Sequence, residues 1–541
     1  MILGTQLLPA LLVLQCLDNY HLFYAKRNFM FLRKKEIILA IGFSLLGGYS
    51  LFAGDFGDVY GAHPAANGMG NAVTATVNNS SAVYYNVAGL GRLSEGDMLT
   101  ALADKKKWEK ENGVTATIES KKTFRQNMTE FVSDAKKDFF LNKPLERPTR
   151  NVNEITLQYN YANPQLNASM LSIGDSAKKA FGGYQAQNTN TPVSQDLSKL
   201  SDNYAGLGLT INLNNIYDFK RTIRFGLNVL APATGNLLTI NDVNPTTHRY
   251  LQYGVANQKP TIMGGTGIEI IKDRLFAGVG FTAIAGGGGA ILLKDVPLSP
   301  NSVIPNQQVI LEVKPIINPT YGLAFTYGKF SGGVSYRRET ALAVNSLGAR
   351  AQTILLGIQL DFDVALYDLF SPRKWAYGLS YKPNGKWMFS FDMNRELWSQ
   401  LGYKNKFVGT EFMSRTKAAY SEPFHLVDVT VLRAGTEYKW SDSLRIRGGI
   451  ARRPKATPDI PGTNNWIDFD RMIYTAGISY ILFPGMRFLE NLKNPVVIDA
   501  VLEHQELKSM KVYKYAPTPK NPNYSVGGSV WHIGVSATMF F

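Results

Sequence analysis

Six histidines, one cysteine and two arginines on alternate residues carry most of the reactive chemistry this 541-residue chain offers. The histidines are scattered, at His21, His63, His248, His425, His504 and His532. None is spaced with a nucleophile or a second ligand as general-base or metal chemistry needs. The sole cysteine, Cys16, lies in the N-terminal leader, which leaves no thiol for disulfides, nucleophilic catalysis or metal binding downstream. Gly286 to Gly289 lacks the lysine and the strand-to-helix setting of a phosphate cradle and reads as the start of a flexible loop. No enzyme, metal or cofactor is therefore expected, and the remaining chemistry is recognition. Arg445 and Arg447 share one face of an alternating segment. Bidentate hydrogen bonds to a carboxylate head group and internal salt bridges to residues such as Glu437 are both open to them.

The elements that must position such groups read as strands. Aromatic residues at 12% and 49 glycines favour strands and turns over helices. A mean hydropathy of −0.12 with 18% charged residues excludes a helical membrane bundle and fits alternating strands. The net charge of +15 is dispersed and accompanies no nucleic-acid motif, so solvated loops facing anionic lipid headgroups are its expected home. In the last twelve residues, Trp531, Ile533, Val535, Ala537, Met539 and Phe541 alternate with His532, Gly534, Ser536 and Thr538, and only Phe540 breaks the pattern. A strand apolar on one face and small or polar on the other suits a wall between lipid and a watery lumen.

Residues 1–53 read as a leader and signal peptide, with a basic stretch after Met30, a candidate true start, and an apolar run from Ile37 to Phe52. Residues 54–96 form a glycine-punctuated, turn-rich plug, 97–203 a first strand plus a polar insertion, and 204–541 the remaining strands. The first strand is either Asp97 to Asp104, making the lysine-rich segment after it external, or Glu154 to Tyr161, making it periplasmic. Alternation then marks strand pairs at 204–231, 262–284, 319–338, 374–394, 430–452 and 470–505. With one early strand and the C-terminal strand these make fourteen, an even number with short turns on one side and long loops on the other, as in bacterial outer-membrane barrels. A further alternating run, Ile354 to Val364, could raise the count to sixteen. Trp375, Tyr377 and Leu379, with Trp387, Phe389 and Phe391 on the return strand, are expected outside. Arg433, Glu437, Arg445 and Arg447 are expected inside, because a charge on the lipid face at mid-membrane costs about 2–4 kcal/mol.

The run from Gly61 to Leu93 is similar to the N-terminal hatch of the FadL-type outer-membrane transporters of long-chain fatty acids and other hydrophobic compounds. Its ending, Ser81-Ala82-Val83-Tyr84-Tyr85-Asn86-Val87-Ala88-Gly89-Leu90, follows that family's Tyr-Asn-Pro-Ala-Gly-Leu except that Val87 replaces the proline. Further landmarks follow in order: Phe225-Gly226-Leu227 with Ala231-Pro232, Gly333 to Arg337, Trp375 to Tyr381, Leu444 to Ile450, and Asp470-Arg471. The resemblance implies an all-β, multi-pass barrel of fourteen strands in the outer membrane, plugged by the hatch, passing a long-chain fatty acid or another hydrophobic molecule passively. It also implies insertion by the barrel assembly machinery through the C-terminal strand. It implies a ligand pocket touched by the hatch start, Gly54 to Gly57 with Phe56 as apolar contact, gating by Asn86, Val87, Ala88 and Gly89, and lateral exit at a kink near Ala231, Pro232 and Ala233. Proline cannot donate to a ladder and sits where pairing stops, so an ordinary strand end is the other reading there. Two other functions stay open: a structural or adhesin-like barrel whose basic loops bind envelope or host partners, and an outer-membrane hydrolase.

Overall fold

Alternation along the chain resolves into fourteen antiparallel strands, each hydrogen-bonded to its neighbours in sequence, with the last paired to the first. In the computed structural model the described residues are 56–111, 152–170, 202–217, 219, 221–233, 249–253, 261–294, 306–343, 350–355, 358–363, 367–400, 426–458, 466–484, 494–513 and 523–541. The ring runs β1 (Glu154–Met170), β2 (Asp202–Asn212), β3 (Ile223–Pro232), β4 (Thr261–Ile271), β5 (Leu275–Lys294), β6 (Asn306–Tyr327) and β7 (Phe330–Arg337). It continues through β8 (Arg373–Tyr381), β9 (Trp387–Leu397), β10 (Val429–Lys439), β11 (Leu444–Arg453), β12 (Arg471–Leu482), β13 (Val496–Val512) and β14 (Tyr524–Phe540). The closing seam joins β1 to β14 in register from Glu154 opposite Phe540 to Met170 opposite Tyr524. Closure leaves the ring no open edge, which a bilayer requires because no water there satisfies free backbone groups.

All six expected hairpins are present, and Glu154–Met170 supplies the early strand. Asp97 to Asp104, the other candidate for that strand, is helical, and the signal-peptide segment lies outside the described residues. The Ile354 to Val364 run forms two short strands, Arg350–Leu355 and Ile358–Asp363, that extend the sheet from the end of β5 without entering the ring. Gly286 to Gly289 is not a loop start. These glycines lie within β5, opposite Lys314 to Leu311 of β6. Cross-strand pairing over the length of β6 outweighs the low strand preference of glycine.

The faces follow the expected alternation. Trp375, Tyr377, Leu379, Trp387, Phe389 and Phe391 are exposed on the outer surface, whereas Gly378, Ser380, Ser390 and Asp392 are buried inside. Trp531, Ile533 and Val535 point out and His532, Gly534 and Ser536 in. Phe540, the break in that pattern, turns inward and packs with Val152, Leu99, Ile481, Phe483 and Val497. Short turns join β2 to β3, β4 to β5, β6 to β7, β8 to β9 and β10 to β11 at one end, which is periplasmic by the outer-membrane rule.

Inside the barrel lie α1 (Phe56–Tyr60), α2 (Pro64–Asn67), α3 (Ala82–Tyr85) and a 3-10 turn, Val87–Gly91. A longer helix, α4 (Glu95–Glu111), follows at the short-turn end. Ser94 and Asp97 cap its start reciprocally, Asp97 N donating to Ser94 Oγ at 3.0 Å and Ser94 N to Asp97 Oδ2 at 3.3 Å. Lys106 reaches Asp442, in the turn between β10 and β11, at 3.0 Å. The segment that leads into the polar insertion therefore lies on the same side as the start of β1.

Candidate functional site

The chain from Phe56 to Gly91 travels from the long-loop end of the lumen to the short-turn end while circling the inner wall. It meets β12 and β11 through Gly68, β10 and β11 through Met69 and Gly70, β9 through Thr74, and β3 to β6 through Asn86 to Gly91. Glycines of the wall make this approach feasible. A Cβ on Gly278 would stand 2.6 Å from the carbonyl carbon of Val87, and one on Gly267 would stand 2.6 Å from the amide nitrogen of Gly91. Only a wall without side chains at those levels lets two backbones touch.

Asn86, Val87, Ala88 and Gly89 are seated by this contact. The Asn86 amide donates to the carbonyls of Thr74 at 2.9 Å and Leu323 at 3.0 Å, and its oxygen accepts from Ala88 N at 3.2 Å. It thereby ties hatch to β6 while capping the 3-10 turn. Val87 and Ala88 are buried, and a side chain on Gly89 would run into the backbone of Val77.

Phe56 occupies the other end. It is 2% exposed and stacks on Tyr204 with centroids 4.1 Å apart. Tyr60 and His532 lie at 4.7 and 5.9 Å. Leu230, Met263, Tyr253, Phe469, Leu507 and Val530 belong with these rings to one buried, aromatic-rich apolar cluster, a packed chamber inside the barrel. Phe56 and Tyr60 fill it, as a stopper fills a socket.

Polar contacts hold the stopper in place. Asp58 of α1 accepts from Ser371 Oγ at 2.8 Å and is bound by Arg337, Lys374 and Tyr84. Lys374 continues to Glu396 at 3.5 Å, Glu396 to Arg453 at 3.4 Å, and Arg453 to Asp468 at 2.8 Å. A cavity of about 40 Å³ beside Asp58, bordered by Gly57, Asn71, Tyr84, Arg337 and Lys374, has room for water and none for an acyl chain. The pairs of Asp58 thus pin the hatch to the wall, and the chain of charges from Lys374 to Asp468 continues among residues of the barrel.

The arginines singled out in the sequence are likewise held in internal ion pairs. Arg447 donates to Glu437 at 2.7 Å and Asp499 at 2.9 Å and also contacts Ser479, whereas Arg445 pairs with Glu95 at the head of α4. Of the two roles open to them, internal salt bridging is the one this geometry contains. Their carboxylates come from strands and a helix far apart in sequence, so only Glu437 was legible as a partner.

Pro232 ends β3 at the long-loop side, opposite Tyr204 of β2. Pairing of β3 with β2 continues through Pro232, and Ala233 N donates to Asn203 O at 2.7 Å. Pairing with β4 is described as far as Leu230 opposite Thr261, where the described residues of that strand begin. Ala231, Pro232 and Ala233 are therefore paired on one side only among the described residues. The sequence missed Asp58, Tyr60, Tyr204 and Tyr253; nothing local distinguishes them, since each matters through a partner elsewhere in the chain.

Residues 318–541, from within β6 to the C-terminus, match the outer membrane protein transport protein family (OMPP1/FadL/TodX). The hatch lies outside the matched span. Solved structures similar to this chain include a Pseudomonas aeruginosa FadL homologue, at 13% identity and a TM-score of 0.46 over 88% of this chain and 98% of that one. The P. putida toluene transporter TodX gives 13% and 0.44 over 90% and 99%, and the Ralstonia pickettii toluene transporter TbuX 12% and 0.40 over 88% and 98%. No curated protein matches the chain. From within β6 to the C-terminus, the barrel sequence of this chain is thus similar to the OMPP1/FadL/TodX family of outer membrane transport proteins.

Proposed function

We propose that this barrel passively takes up long-chain fatty acids or similar hydrophobic molecules from the long-loop side, through the chamber that Phe56 and Tyr60 now fill. The stoppered apolar chamber is the observation that carries the reading. An apolar ligand gains roughly 25 cal/mol for each Å² it removes from water, enough to compete with two displaced aromatic rings. The ligand displaces α1 and leaves sideways beside Ala231, Pro232 and Ala233. A proline at the end of β3, which cannot donate to a ladder, supports that exit.

The test is binding of a long-chain fatty acid to refolded protein, comparing wild type with a variant lacking residues 54–57. Saturable binding altered by the deletion is expected, and no binding by a folded barrel would overturn the reading. Pro232→Val, which restores a ladder donor, is expected to reduce uptake with assembly intact; unchanged uptake removes the lateral exit. The paired lumenal charges favour a second reading, a structural barrel that binds partners through its basic loops. Absence of binding to any apolar ligand would favour it.

A further inference from the structure

Five short turns carry the same pairing of residue types. Arg221 comes two residues after Phe219 between β2 and β3, and Lys272 and Arg274 follow Ile271 between β4 and β5. Lys329 precedes Phe330, Lys386 precedes Trp387 and Lys439 precedes Trp440. The apolar member is exposed in every case, from 39% at Phe219 and Trp387 to 64% at Trp440. Backbone hydrogen bonds set these turns side by side: Thr326 N donates to Arg274 O, Lys382 N to Lys329 O and Lys439 N to Lys386 O, each at 2.8 Å. The cations therefore form a row along the short-turn rim.

Little negative charge answers this row. Among the described residues of these turns the carboxylates are Asp273 and Asp442, and Asp442 is shared between Lys439 at 2.9 Å and Lys106 of α4 at 3.0 Å. Lys329 and Lys382 are neighbours across β7 and β8, as Lys386 and Lys439 are across β9 and β10. Like charges on neighbouring strands repel, and an anionic surface against the rim offsets that repulsion. The rings beside the cations continue the apolar outer wall: Phe330 stacks on Tyr381 at 4.8 Å, and Trp387 lies 4.5 Å from Tyr438. Aromatic rings at the strand ends of a membrane barrel sit at headgroup level, so the cations stand at the depth of the lipid phosphates.

We propose that this row is a binding surface for anionic phospholipids of the periplasmic leaflet, glycerophospholipids with a net negative headgroup such as phosphatidylglycerol. The rings seat among the acyl chains, and the lysine and arginine nitrogens donate to phosphate oxygens. A soluble polyanion would use the cations and leave the rings in water, which favours lipid as the partner. The surface lies on the outer rim of the barrel and does not depend on what the lumen carries.

The experiment measures, by native mass spectrometry, which lipid the full-length protein retains from detergent micelles holding equal amounts of dimyristoyl phosphatidylglycerol and dimyristoyl phosphatidylcholine. Wild type is compared with a short-turn variant (Lys272→Gln, Arg274→Gln, Lys386→Gln) and a charge-matched long-loop variant (Arg338→Gln, Arg395→Gln, Arg452→Gln). All six residues are exposed, and folding is checked by heat-modifiable gel mobility. Wild type is expected to retain the anionic lipid at least about fivefold over the zwitterionic one. That ratio is expected to fall towards one in the short-turn variant and to persist in the long-loop variant. Equal retention of the two lipids by wild type overturns the proposal whether or not the variants fold. A preference that survives in the short-turn variant also overturns it, as does one lost equally in the long-loop variant, which would be an effect of net charge alone. Excess inorganic phosphate at constant ionic strength is expected to leave the preference intact; its loss would make the row a free-anion site and overturn the lipid assignment.

Discussion

The Phe56 ring stacks on Tyr204 at 4.1 Å, and Tyr204 is the residue directly opposite Pro232 across β2 and β3. The hatch start and the proline that ends β3 are thus one side chain apart. Movement of α1 would be felt at Pro232 through that stacked pair, with no longer route needed.

Phe56→Ala removes the stopper's main contact. Truncating a buried phenylalanine costs about 3–5 kcal/mol, and here the loss falls on hatch docking, because the barrel ladders do not involve residue 56. Hydrogen exchange is expected to rise across 56–62 with β12 to β14 unchanged. Equal protection in variant and wild type would show that the pair does not hold α1.

The glycine wall gives a complementary outcome. Gly278→Val places a branched side chain where the Val87 carbonyl carbon would be 2.6 Å from the new Cβ. Overpacking of this kind costs about 1–3 kcal/mol and can be relieved by lifting the 3-10 turn off β5. The barrel is expected to fold, with higher single-channel conductance than wild type. Wild-type conductance would mean that the wall yields in place of the hatch.

Barrel and hatch were legible to different depths. Period-two alternation is a local signal, so the inward and outward faces of β8 to β11 and β14 could be read from neighbours two residues apart. The count was legible because a closed barrel with one-sided long loops needs an even number of strands. Helix α4 was harder: its capping pair, Ser94 and Asp97, is local, but its docking depends on Phe540, Arg445 and Asp442, hundreds of residues away. Site residues were legible where a run of sequence carries them, as for Phe56 and Asn86 to Gly89. They were invisible where one side chain finds its role through the fold, as for Asp58 and Tyr204.

The surroundings of Val87 suit a proline. It is the first residue of the 3-10 turn, and Asn86 before it is extended at φ −162° and ψ 102°, a conformation compatible with a following proline. Val87→Pro is expected to stabilise the hatch by about 0.4–1 kcal/mol through a less flexible unfolded chain. Slower exchange over 82–91 would support this; faster exchange would mean that the lost packing of Val87 outweighs the gain.

The anchor of α4 carries a pH dependence. Hydrogen bonding from Lys439, with Lys106 adding to it, holds the Asp442 carboxyl below the ordinary aspartate range. A carboxylate with a depressed value stabilises the folded form above its unfolded pKa and loses that contribution as pH falls through the folded value. The pair is half exposed, so the effect is under about 1 kcal/mol. Exchange around Lys106 in α4 is expected to rise only below the usual aspartate range, and Asp442→Asn is expected to reproduce it at neutral pH. No pH step in wild type would leave Glu95 and Arg445 as the operative anchor.

Asp58→Asn tests the pins themselves. The carboxylate is buried against Arg337 and Lys374, and breaking a buried pair by removing one partner typically costs about 3–5 kcal/mol because the opposing charge is left unmatched. Two cations face Asp58, so the asparagine leaves α1 in a site that repels nothing but no longer holds it. With the closed arrangement weakened and the chamber unaltered, fatty-acid uptake is expected to rise while equilibrium binding tightens, since less energy is spent displacing Phe56 and Tyr60. Uptake and affinity both equal to wild type would mean that hatch release does not limit entry, and that the glycine-seated turn, not α1, is the part that must move.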